Sequence, residues 1–415
     1  MSEPLVIIGK GMAATRFVEE LTRRALGRYS IAIIGDEQRF AYNRVLLSSV
    51  LAGDVEASEL PLKSWAWWNK AGVSLLPGTP ATAVDVENRI VHLSNGAALR
   101  FSKLVFATGS NALRLPIPGA ELPGVTVFRT LSDTTALSAL GASKSKVTVI
   151  GGGLLGIEAA YGLAKRGAKV TLIHIMDRLM ERQLDAEAAA MVKAALERQG
   201  IEVLLEAKTA AIAGSTRAEG VSLADGRLIQ ADAVVMAAGI KPNTDLAKAA
   251  GLETRRGIVV DSGLQSSTPG IYAIGECAEV DGACCGLVEP AYRQAETLAR
   301  RLSGKESPAY EADIAATNLK VSGLPVFSAG DFLGSEGTSQ ILLRDRGAGL
   351  YKKLILRDGV LCGAVLAGDT SDSGWYLDLI RRGEPVSSLR PTLAFGRAFA
   401  GECAAADSSF QKQAA

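Results

Sequence analysis

The chain has 415 residues, 48% of them hydrophobic, with 44 glycines and a mean hydropathy of +0.18; that is more than one ordinary domain and enough apolar material for two or three cores. Its 45 Lys and Arg against 44 Asp and Glu leave a formal net charge of +1, which gives no footing for nucleic-acid or polyanion binding as a main role. No apolar run reaches the length of a membrane span, and the five cysteines (Cys277, Cys284, Cys285, Cys362, Cys403) form neither a paired framework nor a CxxC metal or redox motif, the pattern of a reducing cytoplasm.

A strand is predicted almost at once, at Leu5–Ile8, which leaves no room for a signal peptide. A glycine loop follows, then an amphipathic helix over Ala13–Ala25 and a second strand at Ile31–Ile34, ending in Gly35-Asp36-Glu37. The stretch AYNRVLLSS (Ala41 to Ser49) opens the next segment, and SWAWWNK (Ser64 to Lys70) is read as a helix packing its tryptophans on the same domain. Further strands are predicted at Lys103–Ala107, Lys146–Ile150, Lys169–Ile173, Ala233–Ala237 and Gly270–Ile274, with helices at Gly156–Arg166 and Ala186–Gln199. Continuous apolar strands joined by helical crossovers indicate parallel sheets covered on both faces. Near Pro308–Tyr310 the texture changes to shorter strands, Lys352–Leu356 and Val360–Ala367, and a helix around Gly374–Arg382. The polar, alanine-rich tail from Ala404 to Ala415 is expected to be frayed.

Two of these strand–loop–helix units carry dinucleotide fingerprints. In VIIGKGMAA, Gly9, Gly11 and Ala14 stand at GxGxxA spacing. The first glycine permits the tight turn, the second lets the backbone, continuing through Met12, approach a pyrophosphate on the helix N-terminus, and the small third residue lets helix and strand pack closely. Asp36, after the next strand, is a candidate acceptor for a ribose hydroxyl, or an ordinary turn acid. In VTVIGGGLLGIEAA, Gly151, Gly153 and Gly156 complete GxGxxG, with Leu154 and Leu155 opening the helix. His174 ends the following strand, 18 positions after Gly156. NAD-preferring sites carry an acid there, whereas NADP sites avoid that charge and place Arg nearby; with His174 in place and Arg178 and Arg182 just beyond, the choice between NADH and NADPH stays open. Two fingerprints in one chain imply two bound dinucleotides.

Further segments extend this pattern. LVFATGS (Leu104 to Ser110), VVMAAGIKPNT (Val234 to Thr244) and TPGIYAIGECAEVDG (Thr268 to Gly282), together with the two fingerprints, resemble the pyridine-nucleotide–disulfide oxidoreductase superfamily along essentially the whole chain. GDEQRFAYNRVLLSSVLAG, LMERQLD (Leu179 to Asp185), TNLKVSGLPVFSAGD (Thr317 to Asp331) and YKKLILRDGVLCGAVLAGD (Tyr351 to Asp369) are similar to its rubredoxin/ferredoxin-reductase branch, above all to the flavoprotein portion of assimilatory nitrite and nitrate reductases. The resemblance implies an α/β fold with two Rossmann-like domains of the glutathione-reductase type and a C-terminal α+β domain beside the flavin. It implies an FAD domain from residues 1–112 and 243–312, an NAD(P) domain over 113–242, a C-terminal domain over 313–400 and a disordered tail over 401–415. It places Gly9, Gly11, Met12, Ala14, Asp36, Arg44, Ala81, Thr108, Gly109, Arg129, Gly275, Glu276 and Lys320 on FAD, Glu276 replacing the usual Asp. It places Gly151, Gly153, Leu154, Leu155, Gly156, Glu158, His174 and Gly239 on NADH or NADPH. Trp375 and Tyr376 either approach the flavin or belong to an ordinary amphipathic helix.

Disulfide reductases of this superfamily need CxxxxC in the helix after the first acidic turn, and its peroxidases need one cysteine there; here the stretch is Asn43-Arg44-Val45-Leu46-Leu47-Ser48, and no histidine follows His174. Thiol–disulfide chemistry requires a thiolate. The expectation is therefore hydride transfer from NAD(P)H to FAD, with no acid–base side chain required, and direct release of electrons to an external redox protein: a nitrate or nitrite reductase subunit, a ferredoxin or a rubredoxin. With no cysteine cluster of its own, the chain is expected to serve as a cytoplasmic electron-transfer subunit, monomeric or homodimeric, and not to reduce nitrite itself. A ferredoxin reductase serving an oxygenase, an NADH oxidase and an NADH-responsive signalling flavoprotein are the alternatives.

Overall fold

The computed structural model describes residues 2–306, 308–321 and 323–400; the side chains of Lys320 and Val321, and the tail with Cys403, lie outside the described residues. The chain divides into two units, Met1–Leu113 with Arg129–Thr134 and Gly239–Ala312, and Arg114–Phe128 with Thr135–Ala238 and Asp313–Ala415.

The first unit is built on a five-stranded parallel sheet in the order Ile271–Ala273, Lys103–Phe106, Glu3–Ile8, Tyr29–Ile34, Val73–Leu76. Its central strand buries Leu5, Val6, Ile7 and Ile8 in one core with helix residues such as Phe17 and Leu298 and strand residues such as Val84 and Val91. The helix Met12–Ala25 buries Ala14, Phe17, Val18 and Leu21 at helical spacing. The helix Val288–Leu302 lies against it, burying Ala291, Ala295, Leu298 and Leu302, and Arg16 on the first reaches Glu296 on the second at 2.7 Å. The tryptophans of the short helix Trp65–Lys70 split. Trp68 is buried in this core, whereas Trp65 stays 54% exposed against Phe40. An antiparallel trio, Ala81–Asp85, Ile90–Leu93 and Ala98–Arg100, was not foreseen from the sequence.

The second unit repeats the plan. Its parallel sheet runs Glu202–Leu204, Lys169–Ile173, Lys146–Ile150, Ala233–Met236, Val125–Val127, with the fingerprint strand again central. The helix Leu154–Lys165 presents Gly156, Ala159 and Ala160 to it, small residues that allow close approach. A five-stranded antiparallel sheet, in the order Ala316–Val321, Leu324–Gly330, Val360–Ala367, Leu350–Arg357, Thr338–Asp345, packs the helix Ser373–Arg382 on one side. Tyr376 on that helix is fully buried there, its hydroxyl donating to the Leu393 carbonyl at 2.7 Å, so it is a core residue of this module. The same unit joins this sheet to the nucleotide half. Asp185 caps the helix Ala186–Arg198 by accepting from the Ala188 N–H, and also takes the Tyr351 hydroxyl at 2.6 Å and the Lys353 ammonium at 3.3 Å. Among the described residues, no helix is long and apolar enough to cross a membrane.

Candidate functional site

Each unit carries a glycine loop at the C-terminal end of its central strand, where open α/β sheets bind ligands. In the first, Gly9 has φ +107 and a Cβ there would overlap the Ala107 carbonyl; Gly151 in the second has φ +118 and would meet the Ala237 carbonyl in the same way. Gly11 and Gly153 face open space, with nothing within 4 Å of a Cβ. They are the N-caps of their helices, and neither helix has a capping side chain or an acid in its first turn. Open backbone at an uncapped, acid-free helix start suits a pyrophosphate. Both cradles therefore fit a dinucleotide. The third position differs: Ala14 is buried with its methyl accommodated, whereas a Cβ at Gly156 would overlap the Gly151 carbonyl.

Around the first loop the unit gathers most of the expected flavin-side residues. Asp36 is exposed and accepts from the N–H of Glu37. Glu37, which sequence reasoning passed over, is the working acid of that turn: it takes Arg44 at 2.6 Å and the Tyr42 hydroxyl at 3.0 Å. Burial first, with Glu37 alongside, pushes the Tyr42 phenol up to about 12, so this hydroxyl stays a donor. Arg44 also donates to the Arg129 carbonyl at 3.3 Å. The Arg129 side chain turns to Ser110 Oγ at 2.9 Å and pairs with Glu276, whose carboxylate also receives the Ser110 hydroxyl at 2.5 Å. Thr108 is tied reciprocally to Asn243, hydroxyl to carbonyl at 2.8 Å and amide to carbonyl at 2.9 Å, and Gly109 accepts from the Asn243 N–H. Gly275 donates to buried Gln294 at 2.7 Å. Met12 is half-buried at the helix start, and Ala81 begins the antiparallel trio. Gly239 falls in this unit too, its carbonyl accepting from the Leu113 N–H. The only sequence signal for Glu37 was the Asp-Glu pair itself; Ser110 and Gln294 gave none, because their partners lie far along the chain.

The second unit gathers Gly151, Gly153, Leu154, Leu155, Gly156, half-buried Glu158 and His174. His174 is buried; it accepts from the Gly152 N–H at 3.0 Å through Nδ1 and meets Glu181 at 3.0 Å through Nε2. Lys320 lies in the strand Ala316–Val321 of the same unit, its side chain outside the described residues.

Thiol chemistry has poor footing. Cys277, Cys284, Cys285 and Cys362 are free, and burial pushes all four thiols up. Cys277 donates to the Ile274 carbonyl at 3.3 Å, as a protonated thiol does.

Residues 3–298 match the family described as pyridine nucleotide-disulphide oxidoreductase, and residues 316–384 match the rubredoxin NAD+ reductase C-terminal domain. The chain is 44% identical over 383 residues to a nitrite reductase [NAD(P)H] of Bacillus subtilis, covering 92% of this chain and 48% of that protein. It is 41% identical to the assimilatory nitrate reductase electron transfer subunit of the same organism, covering 92% and 50%. The chain thus spans about half the length of these curated relatives. Among solved structures, the putidaredoxin reductase–putidaredoxin complex is similar with a TM-score of 0.86 at 26% identity, covering 97% of this chain and 98% of that one.

Proposed function

The chain belongs to the pyridine nucleotide-disulphide oxidoreductase family, whose reductases use FAD and NAD(P)H, and from that premise we propose that it carries electrons from NAD(P)H through FAD to a separate metal centre of a nitrate- or nitrite-reducing system. One observation carries the reading: two dinucleotide cradles stand in a chain whose flavin-side turn, Asn43 to Ser48, has no thiol. The four described cysteines are free, with thiols that burial keeps protonated. Electrons that cannot pass to a side-chain disulfide must leave for an external acceptor. The resemblance to the nitrate reductase electron transfer subunit supports a nitrogen-oxide system as that acceptor.

In this reading, Gly9, Gly11 and the helix beginning at Met12 hold the FAD pyrophosphate. Arg44, Arg129, Thr108, Gly109 and Glu276 line its remaining length, and Asp36 and Glu37 meet the ribose end. Gly151, Gly153 and Gly156 hold the nicotinamide dinucleotide. When bound, the flavin supplies the redox chemistry, taking two electrons as a hydride and releasing them to the acceptor. The chain's own task is binding and electrostatics: Glu276 and Ser110 fix the Arg129 guanidinium, and Glu37 fixes that of Arg44. The free thiols fit a cytoplasmic setting, with the protein acting as monomer or homodimer. A second reading, a ferredoxin or rubredoxin reductase, is favoured by the match of residues 316–384.

The test is stopped-flow reduction of FAD-loaded protein by NADH and NADPH, followed by mixing with ferricyanide or an iron–sulfur protein. Fast bleaching and fast reoxidation are expected. Slow bleaching with both nucleotides, or a reduced protein that no one-electron acceptor discharges, overturns the reductase reading.

A further inference from the structure

The second cradle has its acid in an unusual place. The residue that ends Lys169–Ile173, where a ribose-binding carboxylate is expected, is His174, and both of its nitrogens are engaged inside the protein. Nδ1 accepts from the Gly152 N–H at 3.0 Å, so the ring proton sits on Nε2 and points at Glu181 Oε2, 3.0 Å away. The imidazole has nothing left to offer a nucleotide. Glu181 does: its side chain is 22% exposed, and a carboxylate that accepts one imidazole N–H keeps several lone pairs free.

Glu181 is held where it stands. The preceding residue, Met180, has φ +51 and donates its N–H to the Gly152 carbonyl at 3.0 Å. Gly152 is thus clasped on both sides, its N–H by His174 and its carbonyl by Met180, and a Cβ on it would lie 2.6 Å from both His174 Cγ and Leu179 Cδ2. Gln183 and Leu184 donate to the Met180 carbonyl at 2.8 Å, closing the turn that carries Glu181. Just past His174, Ile175 and Met176 are 57% and 43% exposed, two adjacent apolar side chains left uncovered where the strand ends. Of the two arginines in this segment, Arg178 places one guanidinium nitrogen on both carboxylate oxygens of Asp177.

We propose that Glu181, positioned by His174, is the carboxylate that recognises the adenosine ribose of the nicotinamide dinucleotide, with Ile175 and Met176 seating the adenine, and that it selects NADH over NADPH. This rests on the reading that the Gly151–Gly156 loop binds the nicotinamide dinucleotide. A free 2′-hydroxyl donates to the second oxygen of Glu181. A 2′-phosphate would face the same carboxylate with like charge.

The experiment measures binding of ADP-ribose and 2′-phospho-ADP-ribose to the FAD-loaded protein by isothermal titration calorimetry, for wild type, Glu181→Gln and His174→Ala. Wild type should prefer ADP-ribose by roughly ten- to a hundredfold, the range of one charged hydrogen bond. Glu181→Gln, a near-isosteric change on a partly exposed side chain, should erase most of that ratio while the protein keeps its flavin and melting temperature. His174→Ala should move the ratio the same way by less, since it frees the carboxylate without removing it. Stopped-flow reduction by NADH and NADPH should show the ratio shift in apparent affinity and not in limiting rate. A wild type that binds both compounds with a ratio unmoved by Glu181→Gln overturns this assignment alone. A wild type that binds neither overturns the loop reading with it.

Discussion

In the first glycine loop the residue between the two glycines is Lys10, and the residue just past the neighbouring strand is Gly35; in the second loop those positions hold Gly152 and His174. The surrounding backbone is the same in both. Gly9 donates to the Ile34 carbonyl and Gly151 to the Ile173 carbonyl, each at 2.9 Å, while Ala107 donates to Ile8 and Ala237 to Ile150, each at 2.8 Å. Within that frame only one of the two facing positions has room for a side chain. In the first unit Lys10 lies across Gly35 and its amine reaches the Arg39 carbonyl. In the second the His174 ring lies across Gly152. The choice sets what each rim presents. A side chain rising from the loop brings a cation and leaves the Asp36–Glu37 turn free to carry acids. A side chain rising from the strand end displaces the acid, which then returns from a later turn as Glu181.

The largest effects should come from the part the loops share. Alanine at Gly9 or Gly151 must adopt a strained positive φ and overlap a backbone carbonyl, a cost of about 3 kcal/mol or more. Gly9→Ala should purify without flavin, seen as loss of the visible absorbance. Gly151→Ala should stay yellow but be reduced by NAD(P)H at least roughly a hundredfold more slowly, since each 1.4 kcal/mol is tenfold. Flavin loss from Gly151→Ala with retention in Gly9→Ala would exchange the two assignments.

A smaller effect should separate the loops. Gly152→Ala pushes a methyl into the buried His174 ring and Leu179, both held by packing, and should cost about 1–3 kcal/mol of stability. Combining it with His174→Ala should recover part of that loss, because the ring that clashes is gone. A double mutant that is merely additive in thermal melts would show that the two residues do not share the space.

The residues that set this contrast differ in how openly the sequence showed them. Seven of the ten strands in the two five-stranded parallel sheets, and both fingerprint helices, were legible to within a residue or two, whereas Val73–Leu76, Val125–Val127 and Glu202–Leu204 were not foreseen. Lys146–Ile150 and Lys169–Ile173 fall where the sequence placed them, since after the leading Lys each is apolar but for one central Thr, and a strand covered on both faces reads as a near-continuous apolar run. The glycines announced themselves by spacing. What stayed hidden was pairing. His174 was visible as a missing acid, but not Glu181 as its replacement, because the partnership depends on a turn closed by Met180 at positive φ, and methionine gives no sequence signal for that conformation. Glu37 was overshadowed by Asp36 for a similar reason: local geometry, not residue type, decides which acid of an adjacent pair turns inward. The small antiparallel sheets, such as Thr209–Ala213 with Gly220–Leu223 and Leu228–Gln230, were missed because strands of three to five residues, alternating and half-exposed, resemble loops.

The weakest expected effect tests the other half of the swap. A Cβ at Gly35 would lie 2.6 Å from Lys10 Cγ and Cδ, the same proximity that makes Gly152→Ala costly, yet Lys10 is a flexible chain only partly covered by protein. It should swing aside, so Gly35→Ala should lose no more than about 0.5 kcal/mol. Lys10 itself sharpens the point through pH. Burial, opposed by Glu37 and Asp36, holds its ammonium below the ordinary lysine value of 10.5. A lysine whose folded value is lowered opposes folding while it is charged, and that opposition fades as pH rises through the folded value and is gone above the unfolded one. Lys10→Met should therefore be slightly stabilising near neutral pH and lose that advantage by about pH 10.5, measured as the difference between two thermal melts across the alkaline range. A constant difference across that range would mean that Lys10 is as solvated as a surface lysine and that the first loop, unlike the second, buries nothing across its facing glycine.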